Sequence, residues 1–149
     1  MIICVILRAK IDMWKFYALL SALFAALTAI LAKVGVKGIS GNVATAIRTA
    51  VVLFLAWGIV LLNGQIKEVK ELSKTNLMFL IFSGVATGLS WIFYFKALET
   101  GNASKVAPID KLSVVFVMIL SFFFLHETMD IKTIIGGALI ATGAIILVL

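Results

Sequence analysis

Residues 77–98 read LMFLIFSGVATGLSWIFYFKAL, and no charge interrupts them from Leu77 to Phe95. A helix rises about 1.5 Å per residue, so roughly 20 such residues match the ~30 Å hydrocarbon core of a bilayer. A closed barrel, the other way to span, reads as short segments alternating apolar and polar residues. That alternation is absent here. The hydroxyls recur at helical spacing instead: Ser83, Thr87, Ser90 and Tyr94 stand at steps of four, three and four, which places them on one face of a helix. The stretch is a membrane-spanning helix with a polar stripe.

Working outward, four more stretches have the same character. They cover about residues 14–33, 42–62, 105–125 and 131–149. Lys33 ends the first, Asn42 is placed to cap the second, and Ser104 to start the fourth. Pro108 falls near the fourth helix's first turn, where proline is tolerated. Gly101 suits the stop of the quoted helix, and Asp130 the cap of the last. The expected fold is an all-α integral membrane protein with five transmembrane helices, forming a single domain over residues 13–149. The chain is 63% hydrophobic and only 13% charged, against about a quarter charged in soluble domains. Residues 63–75 form the one sizeable loop. Ile66, Val69 and Leu72 recur there at helical spacing, which fits either a short helix in the headgroup region or a solvated charged loop.

Ile2 to Leu7 is too short to span and no small-residue cleavage site follows it. Residues 1–12 are therefore expected to be a tail, with Met13 as a second candidate start. The net charge of +6 would point to nucleic acid in a soluble protein. Here the basic residues gather at the ends of apolar runs, as membrane insertion requires, and no nucleic-acid partner is expected. Arg8, Lys10, Lys15, Lys67, Lys70, Lys74 and Lys132 share one face, against Lys33, Lys37, Lys105 and the boundary residue Lys96 on the other. The positive-inside rule then predicts a cytoplasmic N-terminus and an external C-terminus.

One His and one Cys, with no nucleophile elbow, phosphate loop or zinc-ligand spacing, give no enzyme signature; no cofactor or metal is expected. His126 beside Glu127 reads as an interfacial residue. Ser83, Thr87, Ser90, Trp91 and Tyr94 are candidate substrate-binding residues on the wall of a central cavity. The bland alternative is that these hydroxyls bond to their own backbone or hold helices together. Arg48, Asp110 and Lys111 lie about 9–10 Å deep from one face at the helical rise. Charges at that depth point to function or pairing. Pairing of Arg48 with Asp110, as a charge gate or coupling element, is one reading; snorkelling is the other. Gly84 and Gly88, and Gly136, Gly137, Ala141 and Gly143, have the small-residue spacing of helix–helix seams, within the chain or between chains. Ser21, Ala25, Thr28 and Ala32 form a narrower small face, which close packing explains.

Two passages carry a family likeness. Residues 22–57, ALFAALTAILAKVGVKGISGNVATAIRTAVVLFLAW, and residues 84–149, with FYFKALETGNAS, the helix-end Glu127 and a glycine-rich last helix, resemble one EamA-type repeat of the drug/metabolite transporter superfamily. The likeness covers about residues 13–149. It implies a secondary transporter subunit in a bacterial or archaeal plasma membrane, moving a small metabolite or drug-like solute by alternating access. Most members have two repeats in opposite orientations, so one repeat implies a second copy, inverted or parallel, or a partner half. The proton-coupling glutamate in the first helix of the small multidrug exporters has no counterpart here. A non-transporting assembly or scaffold subunit is the competing reading.

Overall fold

Every element in the computed structural model is helical. It describes the backbone of residues 2–149 and the side chains of residues 13–149; the expected tail lies outside the latter. The helices run α1 (Ile2–Gly35), α2 (Gly41–Leu62), α3 (Ile66–Lys70), α4 (Lys74–Thr100), α5 (Ala103–Asp110), α6 (Ser113–Leu120), a π segment (Ser121–Leu125) and α7 (Ile131–Ile146). Four stretches are long and apolar enough to cross a membrane: Met13–Gly35, α2, α4 and the run Ala103–Leu125. α7 is a shorter apolar helix.

Local chemistry sets the boundaries. Ser40, not Asn42, caps α2, its hydroxyl accepting from the Val43 N–H. Helix α2 starts this early because Gly41 seats directly on α4, where its N–H donates to Glu99 Oε2 at 3.0 Å. Ser73 caps α4 by accepting from the Asn76 N–H at 3.1 Å, so that helix opens three residues before the uncharged run. Gly101 stops α4 as expected, but with an extended φ of −98°. Space, not handedness, requires the glycine: a Cβ would lie 2.8 Å from Val106 Cγ2 and 2.9 Å from the Ala97 carbonyl oxygen. Asn102 replaces Ser104 at the start of the next helix. The loop contains the short helix α3, with exposed side chains.

The fourth expected span is not one regular helix. Pro108 sits in the second turn of α5, where it has no N–H to give to Ser104. After Asp110 the pattern tightens: Leu112 N donates to Ile109 O at 2.9 Å and Val114 N to Lys111 O at 3.0 Å, three-residue steps that separate α5 from α6. The run ends in π geometry, and His126 turns it off with a left-handed φ of 53°. His126 is thus a helix terminator, a conformation histidine tolerates better than branched residues. Asp130 caps the last helix, accepting from the Thr133 N–H at 2.9 Å and from the Thr133 hydroxyl. Those bonds, the hydroxyl's first, hold the Asp130 carboxyl below its ordinary value. α7 is shorter than the expected 131–149, because residues past Ile146 leave the helix in a turn.

Helix α4 is the hub. It packs against α1, α2 and α5, while α7 lies against α5 and α6. Val36, Phe95 and Leu98 form the core cluster, flanked by Ala32, Ala44, Tyr94, Ala103 and Val106. Lys33 Nζ reaches the carbonyl oxygens of Leu98 and Gly101 at 2.6 and 2.7 Å. Lys105 Nζ reaches Val148 O at 3.4 Å. The 36–40 turn, the α4–α5 junction and the C-terminus therefore lie at one end of the bundle. Elsewhere large apolar side chains are exposed: Phe54 and Phe124 at 77% and Leu62 at 88%. Such surfaces around whole helices are untenable in water and natural against lipid tails.

The small-residue expectations divide. A Cβ on Gly137 would come within 2.7 Å of Met118, and Gly137 and Ala144 are buried with Ala141 half-buried. That stripe is a seam within the chain. Gly84, Gly88, Gly136 and Gly143 are not packed in this way, since a Cβ on any of them would meet nothing within 4 Å. For Gly84 the reason is visible: α4 is gripped near Phe95 and Leu98, while side chains from Leu77 to Ala86 are exposed.

Candidate functional site

α2 lies along α4 because Gly41 allows backbone-to-backbone approach, and this aims Arg48 at the α4 face two turns from its end. The guanidinium carbon of Arg48 stands 4.3 Å from the centre of the Trp91 ring and 5.7 Å from that of Phe95. A cation over an indole face is held by the ring quadrupole, more strongly where water is scarce. The expected Arg48–Asp110 ion pair is not formed. α2 is packed on α4, which carries the aromatics, and Asp110 on α5 has a nearer partner: Lys111 Nζ lies 3.3 Å from Asp110 Oδ2. Among the described residues no other ion pair involves these three charges.

The charges nevertheless share one cavity of about 310 Å³, lined by Ala25, Thr28, Arg48, Ser90, Trp91, Tyr94, Asp110, Lys111 and Ser113. Within a chain so apolar, this is where polar atoms converge. The break after Asp110 explains part of it. Lys111 and Leu112 stand outside regular helix, so the charged pair sits at a loosened junction and not on a packed helical face. Burial of a charge at the centre of a bilayer costs about 2.5–3.5 kcal/mol on insertion scales and less toward either face, a cost that the Asp110–Lys111 pairing and the aromatic contacts of Arg48 offset.

The hydroxyl stripe of α4 splits. Ser90 and Tyr94 line the cavity with Trp91. Ser83 and Thr87 lie outside it, where Thr87 Oγ1 donates to the Ser83 carbonyl at 2.9 Å. For Thr87 the plain backbone-bonding reading holds. Thr28 and Ala25 of α1, read from sequence as packing residues, line the cavity, and Ser113 joins them. Thr28 was findable: it is one of two hydroxyls, with Ser21, on a stripe otherwise of alanines. Ser113 had no period to flag it.

Three further spaces adjoin the cavity, the smallest, of about 260 Å³, sharing Ser90, Tyr94 and Asp110 with it. A cleft of about 700 Å³ between α1, α5 and α7 shares Ala25, Tyr94, Asp110 and Lys111 with it. A groove of about 360 Å³ between α1 and α2 shares Thr28 and Arg48. Arg48 and the Asp110–Lys111 pair therefore stand where neighbouring spaces meet the central one. Among the described residues no group of three or more His, Cys, Asp or Glu side chains could hold a metal ion.

The chain is 49% identical over 134 residues to a protein of Sinorhizobium sp. described as an uncharacterized transporter in the cobO 3′ region, covering 90% of this chain and 95% of that one. It is 34% identical over 71 residues to an uncharacterized protein of Methanocaldococcus jannaschii, covering 48% of this chain and 52% of the relative. No solved structure gives a significant match. The model of the EamA-like transporter family matches residues 12–149. That span includes the stacked arginine, the cavity wall and the glycine-rich last helix, and this chain belongs to the EamA-like transporter family.

Proposed function

We propose that the protein is a subunit of a secondary transporter that moves a small metabolite or drug-like solute by alternating access. The observation that carries this reading is the polar, aromatic cavity among helices otherwise clothed in exposed apolar side chains. Ser90, Trp91 and Tyr94 face the solute. Arg48, Asp110 and Lys111 control passage between the cavity and the spaces beside it, helped by the break in helical pairing after Asp110. Ser83 and Thr87 contribute less, since they lie away from the cavity.

All five apolar stretches cross. α7 has 16 residues, about 24 Å at the helical rise. Its turn at Val148 is level with the start of α5 through Lys105, at the same end of the bundle as the α4–α5 junction. Five crossings put the termini on opposite sides, with the N-terminus cytoplasmic by the charge bias. One chain encloses the cavity on only part of its perimeter, so a second copy, inverted or parallel, completes it. Reporters at Gly38, Lys70 and the C-terminus should each label one side for a parallel pair and both sides for an inverted pair. Detection of both the Gly38 and the Lys70 reporters on one and the same side only would overturn the five-span topology.

Flux into proteoliposomes tests the transport reading. Losing one hydrogen bond to solute costs about 0.5–1.5 kcal/mol. Ser90→Ala and Tyr94→Phe should therefore each slow uptake roughly 2- to 10-fold, with Ser83→Ala and Thr87→Ala near wild type. A scaffold subunit would instead be indifferent to all four hydroxyls.

A further inference from the structure

We propose that the solute is an organic anion and that Arg48 binds its carboxylate or phosphate group; this rests on the transporter reading and names its substrate class. Three observations meet here. First, the cavity holds three charged side chains, and two of them, Asp110 and Lys111, already compensate each other at 3.3 Å. The uncompensated charge is the cation of Arg48. Second, that cation has no ionic partner and no hydrogen-bonded partner among the described residues; its contacts are the faces of Trp91 at 4.3 Å and Phe95 at 5.7 Å. Third, an arginine does not shed its proton to escape burial, as a lysine can. Its charge must be met by something else.

The donor geometry also shapes what can meet it. The guanidinium is planar and presents its N–H donors as a rigid fork, and no hydrogen bond to an acceptor among the described residues occupies it. This fork is pre-organised for two parallel bonds to an oxyanion. Cations are disfavoured twice, by Arg48 itself and by the prior engagement of Asp110 with Lys111. A neutral solute would leave the guanidinium donors unmatched. The hydroxyls of Ser90 and Tyr94 line the same cavity and can bond to the remainder of the molecule. A volume of about 310 Å³ lies at the small end of ligand sites, so the remainder is metabolite-sized. A phospholipid headgroup offers the same oxyanion chemistry from the bilayer, and the test must separate it.

The test compares benzoate and phenyl phosphate with benzylamine and benzamide, solutes of one skeleton and different charge. Thermal stabilisation of the detergent-solubilised protein reports binding, and counterflow in phosphatidylcholine vesicles reports transport. At least one of the two anions should stabilise the protein and exchange, while the amine and amide do neither. Arg48→Gln should weaken the anion response by roughly tenfold or more, and Arg48→Lys, which keeps charge but loses the fork, by less. Arg48→Lys also serves if the glutamine variant does not fold. Benzylamine exchange that survives Arg48→Gln overturns the anion inference and leaves the transport reading standing. Anion binding lost in Arg48→Gln but without exchange of any solute supports Arg48 as an anion site and overturns the transport reading. Stabilisation by added phosphatidylglycerol, with no response to either soluble anion, assigns Arg48 to a lipid phosphate and overturns the proposal. So does silence from the whole panel.

Discussion

Lys33→Met is expected to lower the unfolding free energy by about 2–4 kcal/mol, the loss of two charge-assisted hydrogen bonds less partial solvent relief. The last carbonyls of a helix have no partners inside it, and the last turn of α4 includes a residue of the core cluster, Leu98. Leu98 is fully buried, and its carbonyl oxygen depends on Lys33 Nζ at 2.6 Å, as Gly101 O does at 2.7 Å. A cation there also opposes the negative end of the helix dipole. Methionine keeps the stem that crosses from α1 but brings no donor, so two oxygens are left without a bond. Lys33→Arg should recover part of the loss. Unfolding by SDS titration in mixed micelles measures it, and a Lys33→Met protein within about 0.5 kcal/mol of its parent, the range of an ordinary surface change, would sink the argument.

The second large effect lies at the other half of the same junction. Gly41→Ala should cost about 1–3 kcal/mol, the usual penalty for overpacking, and Gly41→Val more. The added Cβ would stand 3.0 Å from Phe95 C and 3.1 Å from Lys96 N. Both are backbone atoms that cannot rotate aside, so α2 must lift off α4. Lifting α2 also carries Arg48 away from Trp91, so anion binding should fall along with stability. Gly84→Ala is the contrast. Nothing lies within 4 Å of its Cβ, and alanine favours helix by about 0.8–1.0 kcal/mol over glycine, so the single chain should gain stability. Unfolding of the two variants side by side decides between these expectations; a Gly84→Ala loss seen only in assembled protein would mark Gly84 as a contact between copies.

Much of the architecture was legible because a bilayer asks so little of a sequence. Uncharged runs of the right length must be helices, and the punctuation between them is chemical. Asp130 was readable as a cap and Gly101 as a stop before any coordinate. Errors of detail came where a tertiary contact outweighed a local preference. Asn42 is a good cap, but α2 begins before it because Gly41 is needed against α4. The run from Lys105 to Leu125 reads as one apolar helix, but Pro108 and the tightened turn after Asp110 divide it.

The site was half legible. Burial depth singled out Arg48, Asp110 and Lys111, and helical period singled out Ser90, Trp91 and Tyr94. Opposite charges at matching depth made Arg48 and Asp110 look like partners. Depth along a helix axis, however, says nothing about rotation around it. That rotation is set by which neighbour each helix packs on; it gave Arg48 to Trp91 and left Asp110 to its chain neighbour Lys111. Likewise the stripe from Ser83 to Tyr94 is one face in sequence, but only the part near the α4 grip meets other helices. The chain by itself determined that it crosses a membrane, where the helices run, and which polar residues lie at depth, because hydrophobic length and period are local properties. Only the tertiary structure decided which of those residues meet, because meeting depends on helix rotation and on close approaches such as that of Gly41.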